Sequence, residues 1–294
     1  MATALITGIS GFVGGHLAAR LLGDGWTVHG LTRQATDGAT PDGRRDHAHD
    51  GTRESIRDIV RAVAPDVVIH LAAHYVADHG GDDVAPLVDG NVAFGTHVLE
   101  AMAAGGGGAL VNAGTAWQNF GDDVYRPVNL YAATKQAFED IIAFYADARD
   151  LRAVTLRLFD TYGPRDPRVK LLGALMRARE SGDRLSMSPG DQLIDLVYID
   201  DVVEAFVTAA RRACDDGPAG HEVFAVSGGD PRSLRSVVET FSRLCGEPLD
   251  VDWGGRDYRP REVMVPWTGG RPLPGWAPKV ALEAGIARML NDDV

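Results

Sequence analysis

The amino-acid sequence predicts an α/β protein, a Rossmann-type doubly wound parallel sheet with a smaller C-terminal lobe. Three observations carry this. Short apolar strands alternate with helical patterns over the first 160 residues, the rhythm of a parallel sheet with right-handed crossovers. The run "DVVIHLAA" (66–73) is apolar throughout, as a strand buried on both faces must be. The glycine-rich "TGISGFVG" (7–14) lies between the first strand and the first helix.

The elements follow in order. "TALITG" (3–8) is a short apolar strand, and the first helix runs through "FVGGHLAARLLGDG". "TVHGLTR" (27–33) is the second strand. Segment 34–50 is polar and turn-rich, and no pattern places the third strand within it. "TRESIRDIVRAVA" (52–64) has helical spacing and is closed by Pro65. A helix around 86–104 ends in "GGGG", a C-terminal break, and "ALVNAGT" (109–115) is the next strand. The helix containing "NLYAATKQAFED" (129–140) follows, then the strand "RAVTLRLF" (152–159). Beyond residue 160 Pro and Gly become frequent. Helices are expected near 200–213 and 232–245, with the strand "HEVFAVS" between them. Asp200 and Asp201 read as caps of the first of these helices. The expected division is a main domain over 1–160 and a lobe over 161–294, with about 195–226 returning to the main domain.

The formal net charge of −12 argues against nucleic acid or an anionic membrane surface as partner. No apolar run is long enough to span a bilayer. The N-terminus "MATALITGIS" lacks a basic leader region, so no signal peptide and a cytoplasmic location are expected. Cys214 and Cys245 have no CxxC spacing and no neighbouring histidine cluster, so they are expected as reduced thiols, with no metal site.

The glycines Gly8, Gly11 and Gly14 permit a tight turn and bring backbone close to a pyrophosphate at a helix N-terminus. Their spacing is GxxGxxG. The second strand ends in "LTRQ", so Arg33 stands where an NAD site would place a carboxylate for the ribose 2′-hydroxyl. A guanidinium suits a 2′-phosphate, which predicts NADP, with NADPH as reductant, over NAD.

Only three of the 29 Lys and Arg residues are lysines: Lys135, Lys170 and Lys279. Lys135 follows Tyr131 by four residues, so the two share one face of a helix. A nearby ammonium favours the phenolate and is expected to lower the tyrosine pKa. Its compact head also suits ribose hydroxyls better than a planar guanidinium would. Thr115 at the end of one strand and Tyr131 at the start of the next helix both fall at the carboxyl edge of the sheet, where ligands bind.

Taken together, "TGISGFVG", "DVVIHLAA", "NVAFGTHVL", "NAGT", "YAATK", "LRLFDTYGP" and "LVYIDDVVEAF" resemble the extended short-chain dehydrogenase/reductases, the NAD-dependent epimerase/dehydratase family. Within it, "GTAWQNF", "PVNLYAATKQAFEDII" and "LFDTYGPRDPR" are most similar to the 4-ketoreductases of deoxysugar pathways. The resemblance implies Tyr131 as general acid/base, Lys135 as its partner, and Thr115 as the hydroxyl bonded to the substrate oxygen. It implies cofactor contacts from Gly8, Ser10, Gly11, Phe12, Val13, Gly14, Arg33, Asp50, Leu71, Ala72, Ala73, Asn91, Ala113 and Phe159, besides Tyr131 and Lys135. Trp117, Gln118, Asn119, Asp160 and Arg259 become candidates for binding a nucleoside-diphosphate sugar, which the C-terminal lobe is mainly expected to hold. Relatives carry an arginine where this chain has Ile194 before Asp195, and Arg259 in "YRPRE" would hold the diphosphate instead. A homodimer is the family expectation.

Family members that eliminate water place Asp-Glu after the threonine; here Ala116 and Trp117 follow, so dehydration is not expected. Arg33 and its implied NADP favour a consumed reductant, hence reduction of a C4 ketone in a nucleotide-activated deoxyhexose. The alternatives are an epimerase with tightly bound NAD and a non-catalytic NADP-binding regulator.

Overall fold

The computed structural model describes residues 1–34, 40, 42–106, 108–121, 124–168, 170–215 and 220–292. In chain order its elements are β1 (Thr3–Thr7), α1 (Phe12–Gly23), β2 (Thr27–Thr32), β3 (Arg45–Ala48), α2 (Arg53–Val63), β4 (Val67–His70), α3 (Val84–Val88), α4 (Phe94–Ala101), β5 (Ala109–Thr115), α5 (Leu130–Ala148), β6 (Ala153–Leu158) and β7 (Asp160–Tyr162). There follow α6 (Leu171–Ser181), β8 (Leu185–Met187), β9 (Leu193–Ile194), β10 (Leu196–Tyr198), α7 (Ile199–Cys214), β11 (His221–Val226), β12 (Arg232–Ser233), α8 (Leu234–Cys245), β13 (Val251–Trp253) and α9 (Leu282–Asp292).

Among the described residues seven strands form one parallel sheet in the order β11-β6-β5-β4-β1-β2-β3. The order reverses between β1 and β4, which pair from Ala4↔Val67 to Thr7↔His70. A crevice opens at the carboxyl edge of such a switch point. Alternation with period two sends side chains to opposite faces. Leu5, Val68 and Leu110 pack against Ile56 and Val60 of α2, Val98 and Leu99 of α4, and Phe138 and Ile142 of α5. Ala4, Ile6, Ile69 and Val111 pack against Leu17 and Leu21 of α1 and Val202 and Phe206 of α7.

Several local expectations change. The third strand is β3, a polar edge strand whose "RDHA" carries no apolar signal; residues 35–39 and 41 of that segment lie outside the described residues. The single helix expected around 86–104 is α3 and α4 joined by a π-helical turn, Asp89–Ala93, with a second π turn over Met102–Gly106. Gly105 has φ +91, consistent with the glycine break, and Gly107 lies outside the described residues. Asp200 and Asp201 do not cap α7 through their side chains. Both sit in its first turn, where negative charge suits the helix dipole. The buried Asp201 accepts from the Val280 amide at 2.9 Å, and Asp200 pairs with Arg288. Cys214 and Cys245 are free thiols. No helix among the described residues is long and apolar enough to cross a membrane.

Candidate active site

The turn after β1 is built around close backbone approach. Gly8 has φ +71, and a Cβ there would lie 2.7 Å from the Ala72 amide nitrogen. A Cβ on Gly14 would lie 2.3 Å from the Gly8 carbonyl oxygen. Gly11 is the N-cap of α1, no side chain caps that helix, and its first turn holds no acidic residue. The positive end of α1 therefore faces the cleft that Gly11 and Val13 line. Thr7 secures the neighbouring strand: its Oγ1 accepts from the Ala72 amide at 3.1 Å and lies 2.9 Å from Nδ1 of the buried His70.

Thr115 ends β5, and its Oγ1 accepts from the Trp117 amide at 3.3 Å. Asn129 is the N-cap of α5; its Oδ1 accepts from the Ala132 amide at 2.9 Å, and its Nδ2 donates to the Ala77 carbonyl at 2.9 Å. Tyr131 is therefore the second residue of a firmly started helix, and Lys135 follows one turn later. Thr115, Tyr131 and Lys135 line one cleft of about 510 Å³.

Lys135 is 1% exposed, and among the described residues its ammonium makes no hydrogen bond or ion pair. Burial pulls its pKa down to about 8, against the opposing pull of Glu139. The Tyr131 ring meets Tyr75 edge-on at 5.0 Å. Desolvation, followed by Tyr75, raises the Tyr131 phenol above its ordinary value, while Arg168 opposes the shift. The direction in the chain by itself is opposite to the lowering expected from Lys135 together with an oxidised nicotinamide ring, because burial disfavours the phenolate. The phenol in this cleft stays protonated at neutral pH.

Leu71, Ala73, Ala113, Phe159, Trp117, Asn119, Asp160 and Arg259 also line the cleft. Phe12 is buried beneath the Arg168 guanidinium, 4.8 Å from its ring centroid, so its side chain belongs to the wall behind the turn. Arg33 is exposed just beyond β2 and makes no hydrogen bond or ion pair among the described residues; it and Asp50 both act electrostatically on His49. The Asp50 carboxylate accepts from the amide and hydroxyl of Thr52 at 2.9 and 2.6 Å.

Gln118 and Asn91 are buried away from the cleft. Gln118 is completely buried, which corrects its assignment to the sugar pocket: its Oε1 accepts from the Thr115 amide at 3.0 Å, and its Nε2 donates to Gln136 and Glu139. The turn Ala116–Gln118 carries it behind Thr115. Asn91 is equally buried, and its amide accepts from the His74 amide and donates to the His74 carbonyl and Thr134 Oγ1. It ties the loop after β4 to α5 and makes its contacts inside the protein.

Sequence reasoning missed Tyr75, Arg168 and Lys170 as cleft residues. Lys170 pairs with Asp160 at 2.9 Å and stands 5.9 Å from the Tyr75 ring centroid. Its rarity in an arginine-rich chain was the available signal. Asp195, beside Ile194 at the cleft, is raised by desolvation against hydrogen bonds from Ser227 Oγ at 2.5 Å and the Gly228 amide at 2.7 Å.

A glycine turn feeding an uncapped helix, with hydroxyl, phenol and buried ammonium across the crevice, defines a dinucleotide-binding α/β enzyme scaffold. The chain belongs to the NAD dependent epimerase/dehydratase family, whose profile matches residues 4–225. It is 28% identical over 263 residues to CDP-abequose synthase of Yersinia pseudotuberculosis, covering 89% of this chain and 90% of that one. It is 29% identical over 315 residues to UDP-glucose 4-epimerase of Mycolicibacterium smegmatis (strain ATCC 700084 / mc(2)155), covering 98% and 97%. Its fold matches the crystal structure of Thermus thermophilus UDP-glucose 4-epimerase in complex with NAD, with TM-score 0.84, 25% identity, and 99% and 98% of the two chains covered. The chain is thus an enzyme of a nucleotide-sugar family that depends on a nicotinamide dinucleotide. Its own residues fit that group: the open amide end of α1 suits the pyrophosphate, and the buried Lys135 ammonium, without a partner among the described residues, suits hydroxyls.

Proposed function

We propose that this chain is an NDP-4-keto-6-deoxyhexose 4-ketoreductase, reducing the C4 keto group of a nucleotide-activated deoxysugar with NADPH. The observation that carries the reading is the acid–base set. A hydroxyl and a protonated phenol share the cleft, while Ala116 and Trp117, which cannot exchange a proton, follow Thr115. A nicotinamide bound here supplies hydride to a carbonyl carbon. Tyr131 gives its proton to the developing alkoxide oxygen, and Thr115 donates a hydrogen bond to the same oxygen. Lys135 holds ribose hydroxyls and compensates the phenolate that remains.

Arg33 supports NADPH: it is an exposed guanidinium without a partner among the described residues, placed at the end of β2. Arg259, exposed at the cleft, is the group assigned to the diphosphate. Trp117 and Tyr75, 6.2 Å apart, form an aromatic wall for the sugar, and Asp160 lines the same cleft. On this reading residues 1–160 hold the dinucleotide and most of 161–294 holds the nucleotide sugar. Two chains pair through α5 and the helix before it, where Phe144 is exposed. The likeness to CDP-abequose synthase supports reduction.

A 4-epimerase with retained NAD is the second reading, favoured by the likeness to UDP-glucose 4-epimerases, one of them solved with NAD. Such an enzyme would consume no added reductant. Substituting Tyr131→Phe tests the common core. Turnover should fall by about 10³-fold or more with NADPH affinity within a few fold of wild type. Wild-type-like turnover would remove Tyr131 from the chemistry.

A further inference from the structure

Behind the cleft lies a buried polar network that the proposed reaction leaves unused. Glu139 is 5% exposed and sits two turns after Tyr131 and one after Lys135, on the same face of α5. Arg157 of β6 donates to it through Nη2 at 2.5 Å and Nε at 3.3 Å. Gln118 Nε2 donates to the same carboxylate at 3.1 Å and to Gln136 Oε1 at 2.7 Å, while Gln118 Oε1 receives the Thr115 amide. Arg157 also donates to Asn119 Oδ1 at 2.7 Å and stacks 5.6 Å from the Trp267 ring centroid. Trp267 lies parallel to Phe159 of the cleft wall at 6.4 Å.

From this geometry we infer that Glu139 is a positioning residue for the Thr115–Tyr131–Lys135 site: through Gln118 it fixes the backbone of Thr115, and from the next turn of α5 it places a carboxylate on the helix face that carries Lys135. The inference rests on the catalytic reading only for its consequence, not for its test. A buried polar network that is fully satisfied holds its members in one arrangement. Here the members are the end of β5 and the middle of α5, which carry the site, and the end of β6. The electrostatic part follows from what surrounds Lys135. Tyr131 and Glu139 face it from α5. His70 faces it from β4 and is held neutral, its pKa lowered to about 3 by desolvation and by Lys135 itself. Arg157 stands behind Glu139 on β6. Glu139 is therefore the anion opposing the loss of the Lys135 proton.

The chain's three lysines make the test direct. Protein labelled with 13C at lysine Cε gives signals from Lys135, Lys170 and Lys279, assigned with Lys170→Arg and Lys279→Arg. The titration midpoint of Lys135 should fall by about one pH unit or more in Glu139→Gln, while the other two signals keep theirs. Glu139→Gln leaves Arg157 buried without its carboxylate, so Glu139→Gln/Arg157→Met serves as the second variant, with the same direction of shift. Glu139→Asp should restore most of the wild-type midpoint. An unchanged Lys135 midpoint in folded variants overturns the inference and leaves Glu139 a merely structural residue. If the midpoint moves but wild-type protein reduces no keto sugar, the inference stands and the ketoreductase reading falls. If both hold, the alkaline limb of kcat/KM should move to lower pH along with the midpoint.

Discussion

Burying Lys135 works against the fold. Its pKa of about 8 in the folded chain lies below the ordinary 10.5, so the folded state binds the proton less readily than the unfolded one. The penalty is fully present below pH 8 and fades as pH rises towards 10.5. It is on the order of 3 kcal/mol. Lys135→Met should therefore raise the Tm of the cofactor-free protein by several degrees at pH 7, with the gain shrinking above pH 8, while turnover is lost. A destabilised variant at pH 7 would contradict the burial argument. Arg33, exposed just beyond β2, makes the complementary prediction. Arg33→Ala should raise KM for NADPH by about tenfold or more and leave KM for NADH nearly unchanged; equal changes would remove the 2′-phosphate assignment.

At the level of elements, α5 shows what a sequence reveals and conceals. Its Tyr131–Lys135 spacing is legible because the helical period alone puts the two side chains on one face. The cap was legible in principle, since Asn directly precedes the helix. Its second contact, to Ala77 across 52 residues, was not, because it depends on where the loop after β4 runs. Asn129→Ala loses both bonds, and Tm should fall by an amount matching about 1–2 kcal/mol. Because the start of α5 places Tyr131, kcat should fall as well, with KM for NADPH less affected. An unaltered Tm with normal kcat would show that α5 is positioned by its packing alone. Gln118 illustrates the opposite case. The resemblance suggested the pocket, but a tight turn carries the side chain into the core. The polar edge strand β3 and the two- and three-residue strands of the C-terminal half are too short or too exposed to imprint a period. The buried Asn91 within a π turn likewise breaks the simple helical pattern that 86–104 suggested.

Over the whole molecule, the sheet order and the switch-point crevice follow from features that any doubly wound chain must carry: buried strands, amphipathic helices and a glycine turn. The closure of the cleft does not. Arg261, from the segment before α9, donates to the carbonyls of Val128 at 2.9 Å and Pro127 at 2.7 Å, and packs 4.6 Å from the Phe120 ring centroid. This fastens the C-terminal half to the loop that leads into α5, a contact over 134 residues that no local pattern encodes. The same wall brings Arg259, Pro260 and Glu262 to the cleft beside Thr115 and Tyr131. The cleft is lined from both halves of the chain, and the proposed reduction would take place in it. The most direct measurement is therefore loss of NADPH absorbance, with NADH in parallel, against freshly generated dTDP- and CDP-4-keto-6-deoxyhexoses. The account predicts NADPH oxidation with a particular keto sugar, abolished by Tyr131→Phe, and a much smaller rate with NADH. No oxidation across the panel, together with NAD retained through purification, would contradict it and favour the epimerase reading in its place.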